Sequence, residues 1–314
     1  MFEVKRLPED FVVEEIAHHD VKGQGPYAFY RLTKRDLTDD EAITRLAEAL
    51  HKPAKWFNLA GLKDKRAVTS QFVSLYNGPH SDLELPQLSL SFLGSREERL
   101  SLGELEGNRF SLVVRKLDHG PVALSKMPNY FGEQRFGVAG KNHLIGKLLV
   151  TKDFSGAARM LGYEGNDPLR HLSARTNLLG IMVHSYQSLL FNRLLDAEIR
   201  KGLHDLVEFP TGELAFPKEV VDECALPVPG FGIEDERIPP LLAQEGISER
   251  DFVIRQLHGL SAEGYFRPAF VPLGDLAVSS AEPDDLNPGF QKRTVSFSLP
   301  KGSYATIAVR ALFR

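Results

Sequence analysis

The chain has 314 residues with 42% apolar and 25% charged side chains, the composition of a globular protein large enough for one large domain or two ordinary ones. Its net charge of −4 hides an uneven distribution: residues 201–251 carry a local balance of −8, and the remainder is mildly basic at +4. A single cysteine, Cys224, excludes an intrachain disulfide and leaves no Cys-based metal site. No apolar run approaches the roughly 18 residues of a membrane span, and the first residues, MFEVKRLPEDF, lack the apolar core of a signal peptide. These features predict a protein of the reducing cytoplasm with no membrane association.

Residues 1–35 read as two strands, Asp10 to Ile16 and Tyr27 to Leu32, with a turn at Gly23, Gly25 and Pro26. The clearest helix covers 38–52. Thr38 can cap it, Glu41 completes a capping box, and Ala42, Ile43, Leu46, Ala47 and Leu50 form an apolar stripe that stops at Pro53. Trp56 to Ala60 and Gln71 to Tyr76 are strands around a loop. That loop holds one carboxylate, Asp64, among Lys63, Lys65 and Arg66. Neighbouring cations favour the ionised form of a carboxylate, and an ionised Asp on a loop is a candidate nucleophile; the bland reading is a solvated hairpin tip. Leu88 to Leu93 and Phe110, Leu112, Val114 alternate as half-buried strands.

Pro128 to Gly137, PNYFGEQRFG, is dense in aromatics and amides, a composition suited to stacking on bases, or to a packed loop. From about 140 the pattern turns helical: Lys141 to Leu149, Ser155 to Leu161, a long Ser185 to Ile199, and Ser248 to Leu257 with Ser248 and Asp251 as a capping pair. In the long helix Gln187 and Asn192 are polar, of a kind that caps or braces neighbouring backbone. Residues 203–240 show no strong periodicity and read as ordered loops. Residues 264–314 return to β character. Phe266 to Leu276 is an edge or kinked strand because of Pro268 and Pro272, Val295, Phe297 and Leu299 alternate, and Tyr304 to Phe313 is a last helix behind Ser303.

Six sequence blocks, in order, resemble the TruD family of tRNA pseudouridine synthases. Gly61 to Gln71, GLKDKRAVTSQ, is similar to the family's G-x-K-D-x-x-A-x-T-x-Q signature, in which the Asp is the nucleophile; the resemblance places that role on Asp64. Lys5 to Phe11 resembles K-x-x-P-E-D-F, which implies an active-site Lys5 and a substrate-lining Phe11. Gly107-Asn108-Arg109-Phe110 resembles G-N-x-F, which implies a nucleotide contact for Asn108 and, for Phe110, the place of a Tyr used by other pseudouridine synthases. The PNYFGEQRFG block and the S-x-Q-S-x-x-F-N helix match as well, and Phe297 to Thr306 resembles the closing motif, with Phe297 in the substrate site. Read alone, Lys5 is a surface lysine, and Phe11, Phe110 and Phe297 are core residues.

The resemblance implies an α/β (α+β type) fold: a mixed, mostly antiparallel pseudouridine synthase sheet with an inserted, helix-rich TRUD domain. Residues 1–126 and 272–314 would form one discontinuous catalytic domain, and 127–271 the insertion. The implied substrate is a uridine in tRNA, uridine 13 for the family's bacterial members. The expected enzyme is a monomer without cofactor, since the sequence shows no H-E-x-x-H and no phosphate-binding G-x-x-x-x-G-K-[ST] loop. Asp64, Phe110 with Asn108, and Lys5 would supply the nucleophile, the stacking platform and the base for the C5 proton. Two rival readings are a non-catalytic RNA-binding or chaperone module and a glycoside hydrolase drawing on Glu9, Asp10, Glu14 and Glu15.

Overall fold

The computed structural model describes residues 2–21, 23–219 and 224–314. Two compact units divide the chain: Met1–Pro121 with Pro272–Ala305 and Phe313, and Val122–Val271 with Thr306–Leu312 and Arg314. In chain order the elements are β1 Phe11–Ile16, β2 Tyr27–Arg35, α1 Asp39–Leu50, β3 Phe57–Leu59, β4 Val68–Tyr76, β5 Leu83–Leu85, β6 Leu88–Arg96 and β7 Gly107–Leu117. Then come β8 Lys126–Pro128, α2 Asn142–Val150, α3 Phe154–Met160, α4 Pro168–Ser173, α5 Thr176–Ile199, β9 His204–Val207, β10 Leu214–Pro217, β11 Ala225–Val228 and α6 Ile238–Gln244. The last elements are β12 Tyr265–Pro268, β13 Phe270–Pro272, β14 Gly274–Val278, β15 Glu282–Pro283, β16 Gln291–Pro300 and α7 Ala305–Leu312.

The first unit is built on a ten-stranded sheet in the order β14-β16-β7-β1-β4-β2-β6-β5, with β15 on β16 and β3 on β4. The β1–β4 pair is parallel, and β1–β7, β16–β7, β2–β4 and β2–β6 are antiparallel. The mixed, mostly antiparallel sheet is therefore as expected. Cross-strand register decides which side chains share a face, because partners in a ladder point the same way. Phe297 pairs with Phe110, and Phe110 with Val13; Leu299 pairs with Asn108, and Asn108 with Glu15. Lys34 pairs with Thr69, and Leu32 with Gln71.

The capping box predicted for α1 is present: Glu41 N donates to Thr38 Oγ1 at 3.1 Å, and Thr38 N donates to Glu41 Oε2 at 2.7 Å. The helix buries Ala42 and Leu46 against Ala28, Tyr30 and Leu32 of β2, Val73 and Leu75 of β4, and Leu88 and Leu90 of β6. One sheet face is thus closed by α1 over its β4-β2-β6 half.

The second unit centres on α5, which starts nine residues ahead of the predicted Ser185. Gln187 Nε2 donates to the carbonyls of Pro229 and Glu263, and Asn192 exchanges two hydrogen bonds with the Phe131 backbone, so both polar residues brace backbone. The PNYFGEQRFG block is a packed loop rather than a base platform: Tyr130, Phe131 and Phe136 are all buried. Residues 203–240 hold short strands and α6 where loops were expected; strands of four residues are too short to show a period. Phe266 to Leu276 breaks into β12, β13 and β14, since each of Pro268 and Pro272 lacks a ladder N–H. The helix expected at 248–257 is a single 3₁₀ turn, Glu249–Phe252, although its Ser248–Asp251 capping box forms. Residues 220–223 of the acidic region, and Lys22 of the first turn, lie outside the described residues.

Candidate active site

The β3–β4 hairpin carries the Asp64 loop. Phe57, Asn58 and Leu59 pair with Leu75, Ser74 and Val73, so the chain leaves β3 at Ala60 and re-enters the sheet at Val68. Leu62 stands at the exposed tip. The three cations that flank Asp64 in sequence each have a partner elsewhere. Lys63 Nζ meets Glu15 Oε2 at 2.6 Å, Lys65 Nζ meets Glu41 Oε1 at 3.0 Å, and Arg66 donates to the Arg6 carbonyl at 2.8 Å.

Lys5 reaches Asp64 instead, 59 residues away. Its Nζ donates to Asp64 Oδ2 at 2.7 Å, with the two side chains 18% and 27% exposed. Its backbone has φ 60°, the left-handed region that a residue with a Cβ seldom occupies without cause. The same ammonium lies 3.9 Å from the centre of the Phe11 ring, a cation–π contact that fixes its height above the sheet. Arg66 donating to Arg6 ties the loop to the neighbouring segment a second time.

Three aromatic rings follow in a row. Phe11 meets Phe110 edge-on with centroids 6.2 Å apart, and Phe110 meets Phe297 at 5.5 Å with planes tilted by 34°. Phe110 is 7% exposed, Phe11 2% and Phe297 1%. Beside them, Asn108 is half-buried, and its Oδ1 is shielded from solvent with no hydrogen-bond partner. A shielded acceptor left unpaired costs stability, and such atoms concentrate where a ligand completes the set. The structure thus brings Lys5, Phe11 and Asp64 together and places Phe110 and Phe297 in the adjoining row. Asn108 stands one cross-strand row further along the same face, opposite Glu15.

Two residues to which the family resemblance gives no role hold the loop from beneath. Lys34, on β2, donates to the Asp64 carbonyl at 3.1 Å, and Glu15, on β1, binds Lys63. Their signal was a charged residue on the inward phase of an apolar alternation: Phe11, Val13, Glu15 and Ala28, Tyr30, Leu32, Lys34. The acids of the glycosidase reading are mostly committed elsewhere. Glu9 pairs with Arg35, Asp10 with Arg115 and Glu15 with Lys63, which leaves no matched acid and nucleophile among them.

The family described as tRNA pseudouridine synthase D (TruD) matches this chain over residues 2–167 and 215–312. Among its relatives, the tRNA pseudouridine synthase D of Anaeromyxobacter dehalogenans is 34% identical, over 98% of this chain and 92% of its own. That of Syntrophotalea carbinolica is 28% identical, over 99% of this chain and 96% of its own. A crystal structure from Methanosarcina mazei that carries the name tRNA pseudouridine synthase D superposes with a TM-score of 0.70 at 26% identity, covering 99% of this chain and 93% of that one.

Proposed function

The chain belongs to the TruD family of tRNA pseudouridine synthases, and we propose that it isomerises a uridine of tRNA to pseudouridine with Asp64 as the catalytic carboxylate. The observation that carries the reading is the Lys5–Asp64 pair set beside the Phe11–Phe110–Phe297 row. The reaction breaks the C1′–N1 bond, forms C1′–C5, moves a proton off C5 and places one on N1; nothing is oxidised. Whether the carboxylate attacks C1′ or removes a ribose proton to give a glycal, the same ionised Asp is needed.

Lys5 orients that carboxylate. An ammonium already donating to Asp64 is a poor base for the C5 proton, so its assignment is to hold Asp64. Phe110, flanked by Phe11 and Phe297, presents its ring to the uracil, which leaves the helical stack to reach the site. Asn108 Oδ1 accepts from the base or ribose. Residues 1–126 and 272–314 form the catalytic domain and 127–271 the insertion. We take the position to be uridine 13, the enzyme to be a cytoplasmic monomer, and the reaction to need no metal or organic cofactor. Among the described residues no helix is long and apolar enough to cross a membrane.

Asp64→Asn keeps the size and removes the charge. In a tritium-release assay on a tRNA transcript its turnover should fall below detection, with tRNA affinity within a few-fold of wild type. Near-normal turnover would remove Asp64 from the mechanism. Wild-type enzyme that binds tRNA and forms no pseudouridine would favour the non-catalytic RNA-binding reading. Activity that is lost on chelation and restored by one divalent ion, with prefolded tRNA, would refute the cofactor-free scheme.

A further inference from the structure

Lys34 is the last core-facing residue of β2. Ala28, Tyr30, Leu32 and Lys34 share that face, and each is 1% exposed or less. A lysine in that register gives up its hydration and has to be satisfied by the protein. Its Nζ donates to the carbonyls of Leu37 at 2.7 Å and Asp64 at 3.1 Å, with the Lys63 carbonyl at 3.4 Å, and it lies 3.5 Å from Asp39 Oδ1. Burial pushes the Lys34 ammonium pKa down, and the charge and hydrogen bond of Asp39 oppose that push.

The order of these distances is informative. A lysine whose task was to neutralise Asp39 would sit closest to it, yet three carbonyls lie nearer. Two of the four acceptors belong to residues 63 and 64. Asp39 works on the same loop: its Oδ2 accepts from Lys63 N at 2.7 Å, while Oδ1 accepts from Gln71 Nε2 at 2.6 Å. Glu15 completes the arrangement, accepting from Lys63 Nζ and, through Oε1, from Phe72 N at 3.2 Å. The loop backbone at 63–64 is therefore tied directly to β2 and α1, and the Lys63 side chain to β1, while β4 holds Asp39 and Glu15 in place.

We propose that Lys34 is a positioning residue for Asp64: its buried ammonium fixes the backbone of residues 63 and 64 against the sheet and thereby sets where the carboxylate stands relative to the ribose of the target uridine. Lys5 acts on the Asp64 side chain, and Lys34 on its main chain. This rests on Asp64 being the catalytic carboxylate, as argued above. A displacement of about 1 Å at a reacting group lowers rate by roughly 100-fold.

The test separates positioning from mere stability. Lys34→Met removes the charge at similar length and leaves Asp39 buried without its cation, so a loss of melting temperature is expected whatever the role. Lys34→Met/Asp39→Asn removes both charges, and its melting temperature should return most of the way to that of Asp39→Asn alone. Single-turnover rates are read at saturating enzyme, per tRNA-binding molecule, below the lowest melting temperature of the set. The expected result is a rate about 100-fold lower for Lys34→Met than for wild type, and for the double variant than for Asp39→Asn. KM and tRNA affinity should stay within about three-fold in both. A double variant that recovers rate together with melting temperature would show Lys34 to be only a counter-charge and overturn the proposal. So would a Lys34→Met enzyme turning over at the wild-type rate. Asp64→Asn is run alongside: if it stays active, the reading of the site has failed. If it is inactive while the double variant is fully active, Lys34 alone has been misassigned.

Discussion

Arg115 grips Asp10 with two parallel hydrogen bonds, Nε to Oδ2 at 3.0 Å and Nη2 to Oδ1 at 2.8 Å, between residues that are 105 positions apart and both buried. Asp10 Oδ2 also accepts from Leu7 N at 2.9 Å, so the pair holds the segment from which Lys5 projects. The remaining guanidinium nitrogen meets Asp284 and Asp285, each at 2.9 Å. Glu3 and Arg115 exchange two backbone hydrogen bonds across the same junction.

Arg115→Met should therefore damage stability and the Lys5 segment together. Removing one partner of a buried, bonded pair costs about 3–5 kcal/mol, because the other charge is left unpaired. Arg115→Lys should fare little better, since a point charge cannot reproduce a fork on two carboxylates. Thermal melts check the first effect. The second appears as a loss of kcat per folded molecule; a variant that melts early yet turns over normally while folded would show that Lys5 does not depend on this anchor.

Lys5 itself makes a sharper case. Lys5→Met keeps much of the stem over Phe11 and removes the donor to Asp64. We expect kcat to fall by about 100-fold, the scale of losing one preorganised charged contact at a reacting group. Lys5→Arg should recover part of the loss, because its charge can still reach Oδ2. Equal activity in all three proteins would deny Lys5 any role.

The legible part of this chain was local. The Thr38–Glu41 box, the stripe of α1 and the alternations Phe110, Leu112, Val114 and Val295, Phe297, Leu299 were readable because each depends on residues within one or two turns or strand repeats. The pairing that sets Phe297 beside Phe110 joins residues 187 positions apart, and no local pattern encodes it. The cations beside Asp64 read as its electrostatic setting, whereas Lys63 turns inward to Glu15 and the ammonium on Asp64 comes from Lys5. Which cation reaches a carboxylate is a property of the assembled sheet. β9, β10 and β11 stayed hidden because strands of four residues carry too few positions to show a period.

tRNA affinity should fall steeply with salt. If the mildly basic part of the chain contacts the phosphates, raising salt from about 50 to about 200 mM should weaken binding by at least roughly 100-fold, the loss expected for about four phosphate contacts. The acidic 201–251 stretch should lie off the contact surface. Footprinting with its strongest protection inside 201–251 would contradict this layout.

Glu245 makes the second unit sensitive to acid. Burial opposes its charge, yet hydrogen bonds from Lys147, Arg193 and Tyr186 outweigh that cost and bring the carboxyl down to about 2. Lys147 Nζ lies at 2.8 Å and the Tyr186 hydroxyl at 3.0 Å. The folded value lies below the ordinary one of roughly 4.3, so the stabilisation is complete above that pH and disappears as pH falls through it towards about 2. Glu245→Gln should melt well below wild type at neutral pH, with the gap narrowed to about half at about pH 3 and closing only as pH falls to about 2. A gap that is constant with pH would show that the carboxylate contributes packing and not charge.

Phe110 can be tested without confusing its two contributions. Its ring is wedged between Phe11 and Phe297, and it keeps the largest exposure of the three, 7%. Truncation to Ala would open a cavity worth about 3–5 kcal/mol of stability and remove the stacking surface as well, so its loss of activity could be assigned to neither. Phe110→Leu is the cleaner change. It keeps an apolar side chain of adequate size, and such swaps usually cost less than about 1.5 kcal/mol. It removes the π face, and losing a ring on which a base stacks costs roughly 1–3 kcal/mol, or about 5- to 160-fold in kcat/KM. Phe110→Tyr retains the ring and adds a hydroxyl that finds a partner only at the open edge, since a sealed hydroxyl would carry a desolvation penalty. We expect Phe110→Leu to melt near wild type with kcat/KM reduced by at least five-fold, and Phe110→Tyr to keep both its melting temperature and most of its activity. A Leu variant with wild-type kcat/KM would return Phe110 to the core and leave Phe11 and Phe297 to be tested in the same way.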